Sequence, residues 1–259
     1  MKPNRTAHFT FSFCAAGQSD IGCVREQNQD VCALHPELGF FAVSDGMGAL
    51  TNGAVAAQYA CESMPEMARI SLTEYGQHKD ADLLADALRS SSQLMSDHLS
   101  STGNRDKRVS YGATLVCLTL VEDKAVFVNL GDSRAYLLPR YHKNLQQITK
   151  DHTIAELLIQ NGDLTREEAT HHPSRAQLTA FVGMDPPATP DVFSAEVHPG
   201  DRILLCSDGL YGQLSERDIA RILRSSRIPL RVCQRLIDSA KASGGNDNIS
   251  VVYVKITAS

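Results

Sequence analysis

Phe40-Phe41-Ala42-Val43-Ser44-Asp45-Gly46 is an apolar run that ends in Ser-Asp-Gly, and the chain repeats the pattern at Ile203-Leu204-Leu205-Cys206-Ser207-Asp208-Gly209. Short apolar runs bounded by turn residues read as buried strands. Each run therefore sets a carboxylate where a buried strand gives way to a turn. The glycine that follows can take positive φ or let another group come close to the backbone.

Outward from these two, further runs predict strands at Phe9–Cys14, Val31–His35, Thr114–Val121, Ala125–Leu130, Ala135–Leu138, Val192–Val197 and Ile249–Ile256, beside Phe40–Ser44 and Ile203–Ser207. Helical spacing predicts the Ala-rich Thr51–Ser63 and the longer Asp80–Ser100, whose Leu84, Leu88, Met95 and Leu99 share one stripe. Three shorter helices are expected at Thr153–Gln160, Glu216–Leu223 and Leu230–Ala242, with Ser215 and Asp218 as a start signal for the second. Strict strand–helix alternation is absent. Strand pairs joined by short turns predict antiparallel sheets, and helices grouped between strand blocks predict α+β layering. No repeat and no low-complexity linker interrupts the chain. Residues 1–259 are expected to form a single domain, with a polar, His- and Pro-containing flap-like excursion at about 150–190.

The 259 residues are 42% hydrophobic and 21% charged, with a formal net charge of -5. Such a chain can bury a core without disulfide staples. No run of Lys or Arg stands out, which argues against nucleic acid as a main partner while leaving room for a local basic patch. The seven cysteines (Cys14, Cys23, Cys32, Cys61, Cys117, Cys206 and Cys233) are scattered and form no CxxC, which predicts reduced thiols in a cytoplasmic protein. No apolar run approaches the ~18 residues of a membrane span, and Met1–Thr10 lacks a signal-peptide core.

Three more carboxylates stand at strand ends. Asp132 lies in Leu130-Gly131-Asp132-Ser133-Arg134, between two apolar strands. Asp247 lies in Gly244-Gly245-Asn246-Asp247-Asn248, just before a strand. Asp30 closes Arg25-Glu26-Gln27-Asn28-Gln29-Asp30, directly before Val31. Taken singly, Asp and Gly make turns. Five such sites, two of them near-duplicates, point instead to carboxylates gathered at one sheet edge. Gathered carboxylates repel unless a cation lies between them. Hard divalent ions, Mg²⁺ or Mn²⁺, suit an all-oxygen site, and a pair of them can clamp a phosphate and acidify a water. Arg25, five residues before Asp30, can hold phosphate oxygens through its fork of N–H groups.

Other chemistries lack their residues. No cysteine has Arg six residues on, as a thiolate phosphatase needs. Asp80-Ala81-Asp82 opens a helix rather than ending a strand. Ser44 and Ser207 are preceded two residues earlier by Ala42 and Leu205, not by the Gly of a nucleophile elbow. Cys23 and Val24 stand where a P-loop needs Lys and Ser/Thr, and HExxH is absent. His171-His172 has no spaced partners for zinc.

In order along the chain, Ser19-Asp20-Ile21-Gly22-Cys23-Val24-Arg25 through Asp30, Val43-Ser44-Asp45-Gly46-Met47-Gly48, Gly112-Ala113-Thr114-Leu115, Gly131-Asp132-Ser133-Arg134, Cys206-Ser207-Asp208-Gly209-Leu210 and Gly245-Asn246-Asp247-Asn248 resemble the motifs of the type-2C metal-dependent serine/threonine protein phosphatases, in their bacterial branch. The resemblance implies a four-layer α-β-β-α sandwich, two antiparallel sheets packed face to face with helices outside each. It implies that Asp45 bridges two core Mn²⁺ or Mg²⁺ ions and the Gly46 carbonyl completes one. Asp208 and Asp247 would bind the first ion, Asp30 would act through water, Asp132 and Asp208 would hold a weaker third ion, and Arg25 would bind substrate phosphate. Asn248 would support Asp247. The implied reaction is direct attack of a metal-bridging hydroxide on phosphoserine or phosphothreonine. The implied partners are phosphorylated proteins and a cognate Ser/Thr kinase, with no nucleic acid and no membrane, and the chain acting as a monomer.

The chain departs from the family pattern in places. Gln29 replaces an acidic residue, Ala49 replaces a Gly, and no His follows the bridging Asp. Leu178-Thr179-Ala180-Phe181-Val182-Gly183 lacks the Arg of the usual Leu-Thr-Arg-Ala-Leu-Gly. Phe181-Val182-Gly183-Met184-Asp185 is similar to members encoded with type VI secretion systems. Two alternatives stay open at this level: a catalytically weak relative that binds phosphoproteins, and a phosphatase of small phosphorylated metabolites.

Overall fold

The computed structural model describes residues 11–48, 52–74, 81–103 and 112–259. Within them the apolar runs become strands buried on both faces. Strand β11 (Ile249–Thr257) turns Val252, Val254 and Ile256 toward one core and Ile249, Val251 and Tyr253 toward another. Period-2 geometry sends alternate side chains to opposite faces, so a continuous apolar run is what a strand between two packed layers requires.

One sheet runs β2 (Asp30–His35), β3 (Phe40–Met47), β5 (Leu115–Val121), β6 (Lys124–Leu130), β9 (Asp191–Glu196), with the short β4 (Gly112–Ala113) on β3. The second runs β1 (Ser12–Asp20), β11, β10 (Arg202–Cys206), β7 (Arg134–Leu138), β8 (Gln146–Gln147). The pairings are antiparallel throughout. Phe41, Val43, Leu118 and Phe127 of the first sheet meet Leu137, Ile203, Leu205 and Val254 of the second in the central core.

Helices α1 (Asn52–Glu74) and α2 (Ala81–Gly103) cover the first sheet. Ala56, Ala57, Ala60 and Ala68 form a small-residue stripe that brings α1 close to β3. After β8, the helices α3 (Ile154–Gln160) and α4 (Arg166–Thr170) lie in the excursion between β8 and β9. The short helix α5 (Asp208–Tyr211), α6 (Glu216–Leu223) and α7 (Pro229–Ala242) cover the second sheet. The molecule is the expected α-β-β-α sandwich. Among the described residues no helix is long and apolar enough to cross a membrane.

Several boundaries differ from expectation for identifiable reasons. Phe9, Thr10, Ala49, Thr51 and Asp80 lie outside the described residues, as does the side chain of Leu84. The described part of the expected Phe9–Cys14 strand lies in β1, which runs on to Asp20 because Ala15–Asp20 is held as an edge strand by pairing with β11. Helix α1 runs on through Pro65 to Glu74, since Met64 and Ala68 still pack on the sheet. Tertiary packing there overrides the local breaker. The start signal at Ser215 holds: its hydroxyl accepts from Asp218 N–H. Helix α4 was not anticipated, although Thr165 and Glu168 form a capping box at its start. Strands β6 and β7 are not a hairpin. They belong to different sheets, so Gly131-Asp132-Ser133 carries the chain across the sandwich.

Candidate active site

That crossing puts Asp132 at the seam of the two sheets, and the other carboxylates reach the same seam from both sides. Asp30 and Asp45 come from the first sheet, directly opposite each other in the β2–β3 register. Like charges facing across strands are destabilising, so this pair already asks for a counter-charge. Asp208 and Asp247 come from the second sheet, one just past β10 and one just before β11. Two expected settings are corrected. Asp45 sits within β3, which continues to Met47, and Asp208 is the first residue of α5 behind its N-cap Ser207. Neither is in a turn.

The two duplicate glycines serve close approach, not positive φ. A Cβ on Gly46 would lie 2.1 Å from the carbonyl oxygen of Gly53 in the first turn of α1. A Cβ on Gly209 would lie 1.9 Å from the carbonyl oxygen of Asn248. In each copy of Ser-Asp-Gly, another backbone occupies the space a side chain would take.

Polar groups hold the carboxylates in place. Thr114 accepts from Asp45 N–H through its hydroxyl at 3.0 Å and donates its own N–H to the Asp45 carbonyl at 2.8 Å. Its hydroxyl also shares a 2.6 Å hydrogen bond with Ser133, joining the Asp45 strand to the Asp132 turn. Ser207 donates to Asp30 Oδ2 at 2.7 Å and accepts from Ser250 N–H at 3.0 Å, linking the two sheets. Tyr211 donates to the Asp132 carbonyl at 2.9 Å while Arg134 lies over its ring. Arg134 in turn forks onto Asp151 at the base of the excursion.

Asn248 touches Asp247 as expected and also has a second part. Its backbone N–H donates to Asp247 Oδ1, but its side chain accepts from Gln29 N–H at 2.8 Å and donates to the carbonyls of Ile21 and Gln27. It clamps the loop that carries Arg25 and leads to Asp30. Arg25 itself lies at the mouth and donates to Asp247 Oδ2 at 2.7 Å. The pattern of motifs did not reveal the locking roles of Thr114, Ser133 and Ser207, because hydroxyls bonded across 19 to 177 residues leave no local signal.

Arg25, Asp45, Gly46, Asp132, Asp208 and Asp247 all line one cavity of about 990 Å³, whose other wall is Ile154, Gln177, Leu178 and Phe181 of the excursion. Asp30 is buried behind this lining rather than on it. Burial, then the charges of Asp30, Asp208, Asp132 and Asp247, pushes the Asp45 carboxyl well above its ordinary range. Burial lifts Asp30 to about 6, against the pull of Ser207. Burial followed by Asp247 and Asp30 lifts Asp208 to about 6. Burial followed by Asp208 and Asp151 lifts Asp132 to about 8. The Asp247 hydrogen bond holds Arg25 above its usual value.

The donor set fits hard divalent cations on two observations. Asp30 Oδ1 and Asp208 Oδ1 are buried oxygens with no hydrogen-bond partner, and such atoms ask for a ligand. Asp30, Asp45, Asp132 and Asp208 are oxygen donors whose ionisation is resisted by burial and by one another's charge, a conflict that a cation resolves. Among the described residues no three His, Cys, Asp or Glu side chains already close on a single point. The carboxylates border the space, which suits ions that keep much of their water.

A family model described as Protein phosphatase 2C matches residues 24–239. The serine/threonine phosphatase stp of Listeria monocytogenes is 30% identical over 242 residues, spanning 92% of this chain and 94% of that protein. The solved catalytic domain of the serine/threonine protein phosphatase PstP, in complex with two manganese ions, has a TM-score of 0.77 and 28% identity, covering 96% of this chain and 100% of that one. PppA, described as a key regulatory component of the type VI secretion system in Pseudomonas aeruginosa, has a TM-score of 0.79 and 26% identity, covering 95% and 98%.

Proposed function

The chain belongs to the protein phosphatase 2C family and is a metal-dependent serine/threonine protein phosphatase; on that premise we propose how its own residues divide the work. Asp45, Asp208 and Asp247, with the Gly46 carbonyl, would hold two core ions, Mn²⁺ or Mg²⁺. Asp30 would act from behind through water, and Asp132 with Asp208 would take a weaker third ion. The observation that carries this reading is the convergence of carboxylates from both sheets on one cavity, two of them with an orphaned oxygen.

When bound, the ions supply an acidified water and neutralise phosphoryl charge for direct hydrolysis without a phosphoenzyme. Arg25 lines the same cavity and presents a guanidinium to the substrate phosphate. Arg25 donates to Asp247 in the structure, and its guanidinium would turn to the substrate phosphate were Asp247 engaged by a cation. Among the described residues no histidine lines the cavity. The same reading takes the chain as one domain, acting as a monomer in the cytoplasm on substrates of a cognate Ser/Thr kinase. The test is hydrolysis of a phosphothreonine peptide after EDTA treatment, followed by add-back of Mn²⁺ or Mg²⁺. Loss on chelation and recovery on add-back are expected, and turnover that persists in EDTA would refute the proposal.

A further inference from the structure

The second helical layer carries a charge pattern that the reaction does not use. Residues 216–235 contain six arginines and no lysine, against the two acids Glu216 and Asp218, a local excess of positive charge in a chain whose net charge is -5. Helix periodicity gathers them. Ile219, Ala220, Ile222 and Leu223 of α6 face the core, which leaves Arg217, Arg221 and Arg224 on the outer side. Arg235 of α7 reaches back to the Ser225 carbonyl at 3.0 Å, so α7 adds its arginines to the α6–α7 turn.

Little inside the molecule answers this charge. Arg221 pairs with Asp218. Arg224 donates only to the carbonyls of Ala220 and His142. Arg227 and Arg231 are exposed, and their side chains make no hydrogen bond or ion pair with the described residues. Burial, and then the charge of Arg202 on β10, hold the Arg224 guanidinium below its ordinary value. Unanswered like charge costs stability, so the face needs an external reason.

The apolar neighbours indicate what kind of partner fits. Ile228 and Leu230 are 49% and 58% exposed between Arg227 and Arg231, and Tyr141, next to the His142 carbonyl that Arg224 holds, is 84% exposed. Arginine and tyrosine beside exposed aliphatics, with lysine excluded, is the composition of protein interfaces. Forked guanidiniums match carboxylates better than point charges do. The face is also remote from the cavity. Arg202 opens β10 and Asp208 lies two residues past its other end, so the strand, about 13 Å from Arg202 to Cys206, stands between them.

We propose that the α6–α7 face, centred on Arg224, Arg227 and Arg231 with Tyr141, Ile228 and Leu230, docks an acidic segment of a protein substrate, whose phosphorylated residue then reaches the carboxylate cavity. This rests on the phosphatase reading. Docking at a second point raises the effective concentration of the phosphate at the first.

The variant R227E/R231E tests it, because neither side chain makes an internal bond; R227Q/R231Q is the milder companion. The EDTA-treated chain is titrated against a fluorescent oligoglutamate peptide by anisotropy. Wild type binds in a salt-sensitive manner and the Glu variant binds about tenfold more weakly, the scale of two lost charge pairs plus their reversal. With Mn²⁺ present, a phosphopeptide bearing a Glu-rich tail has a KM about fivefold below the same peptide with a Ser/Gly tail for wild type. That difference vanishes in the variant, while turnover of p-nitrophenyl phosphate is the same in both. Failure of wild type to bind oligoglutamate overturns docking and leaves the phosphatase reading standing. Binding without metal-restored turnover does the reverse. Binding to anionic vesicles or duplex DNA in place of oligoglutamate also overturns the proposal.

Discussion

Removing one negative charge from the cavity should stabilise the metal-free protein while destroying its activity. Asp208 is the informative position. Burial and the charges of Asp247 and Asp30 lift its carboxyl from 3.8 to about 6. A folded-state value above the unfolded one means that the native state binds the proton more tightly. Stability from this group is therefore complete below about pH 4, falls as pH rises, and is gone above about pH 6. Two units correspond to ~3 kcal/mol. Asp208→Asn keeps the size of the side chain and cannot ionise. After metal stripping, the variant should exceed wild type by ~2–3 kcal/mol at pH 8 and match it near pH 4, a Tm gap of roughly 5–10 °C at the higher pH. Saturating Mn²⁺ should reverse the order, since ligand binding stabilises wild type more. The assay is urea unfolding at both pH values, with EDTA and with Mn²⁺, alongside phosphopeptide turnover. A stripped variant no more stable than wild type at pH 8, or a gap that does not change with pH, would refute the electrostatic account of the site.

Arg25→Ala should raise KM for a phosphopeptide several-fold, about tenfold at most for an exposed charge pair, with kcat little changed; an unchanged KM in steady-state kinetics would remove Arg25 from phosphate binding. Asn248→Leu strips three backbone groups of their partner at once, Gln29 N–H and the carbonyls of Ile21 and Gln27. At ~1 kcal/mol for each bond it should cost ~3 kcal/mol in chemical denaturation. Thr114→Val removes the hydroxyl that links Asp45 to Ser133, and calorimetric titration should show Mn²⁺ affinity down by ~10-fold or more.

Much of the site was legible before folding was considered. The two Ser-Asp-Gly runs announced carboxylates at strand ends because apolar patterning marks where a strand stops. What remained hidden was reciprocal. Thr114, Ser133 and Ser207 look like ordinary polar residues until the sheets stack, and Asn248, which donates its N–H to Asp247, also grips the Arg25 loop with its side chain. The arginine face was passed over for a related reason. Its members stand three or four residues apart, so they form no run in the sequence and a single surface only once α6, α7 and the turn between them are folded.

The order of apolar and polar residues was enough to determine which segments are buried strands, which are amphipathic helices, and which side chains bear the chemistry, since these depend on periods of two and 3.6 residues within short windows. Only the tertiary structure decided that β6 and β7 part into different sheets, that Asp30 faces Asp45, and that Ser207 reaches Asp30 across 177 residues. Burial patterns are local. Strand partnership is a contest among many distant apolar edges, and its outcome is set by how two sheets and four layers pack together at once.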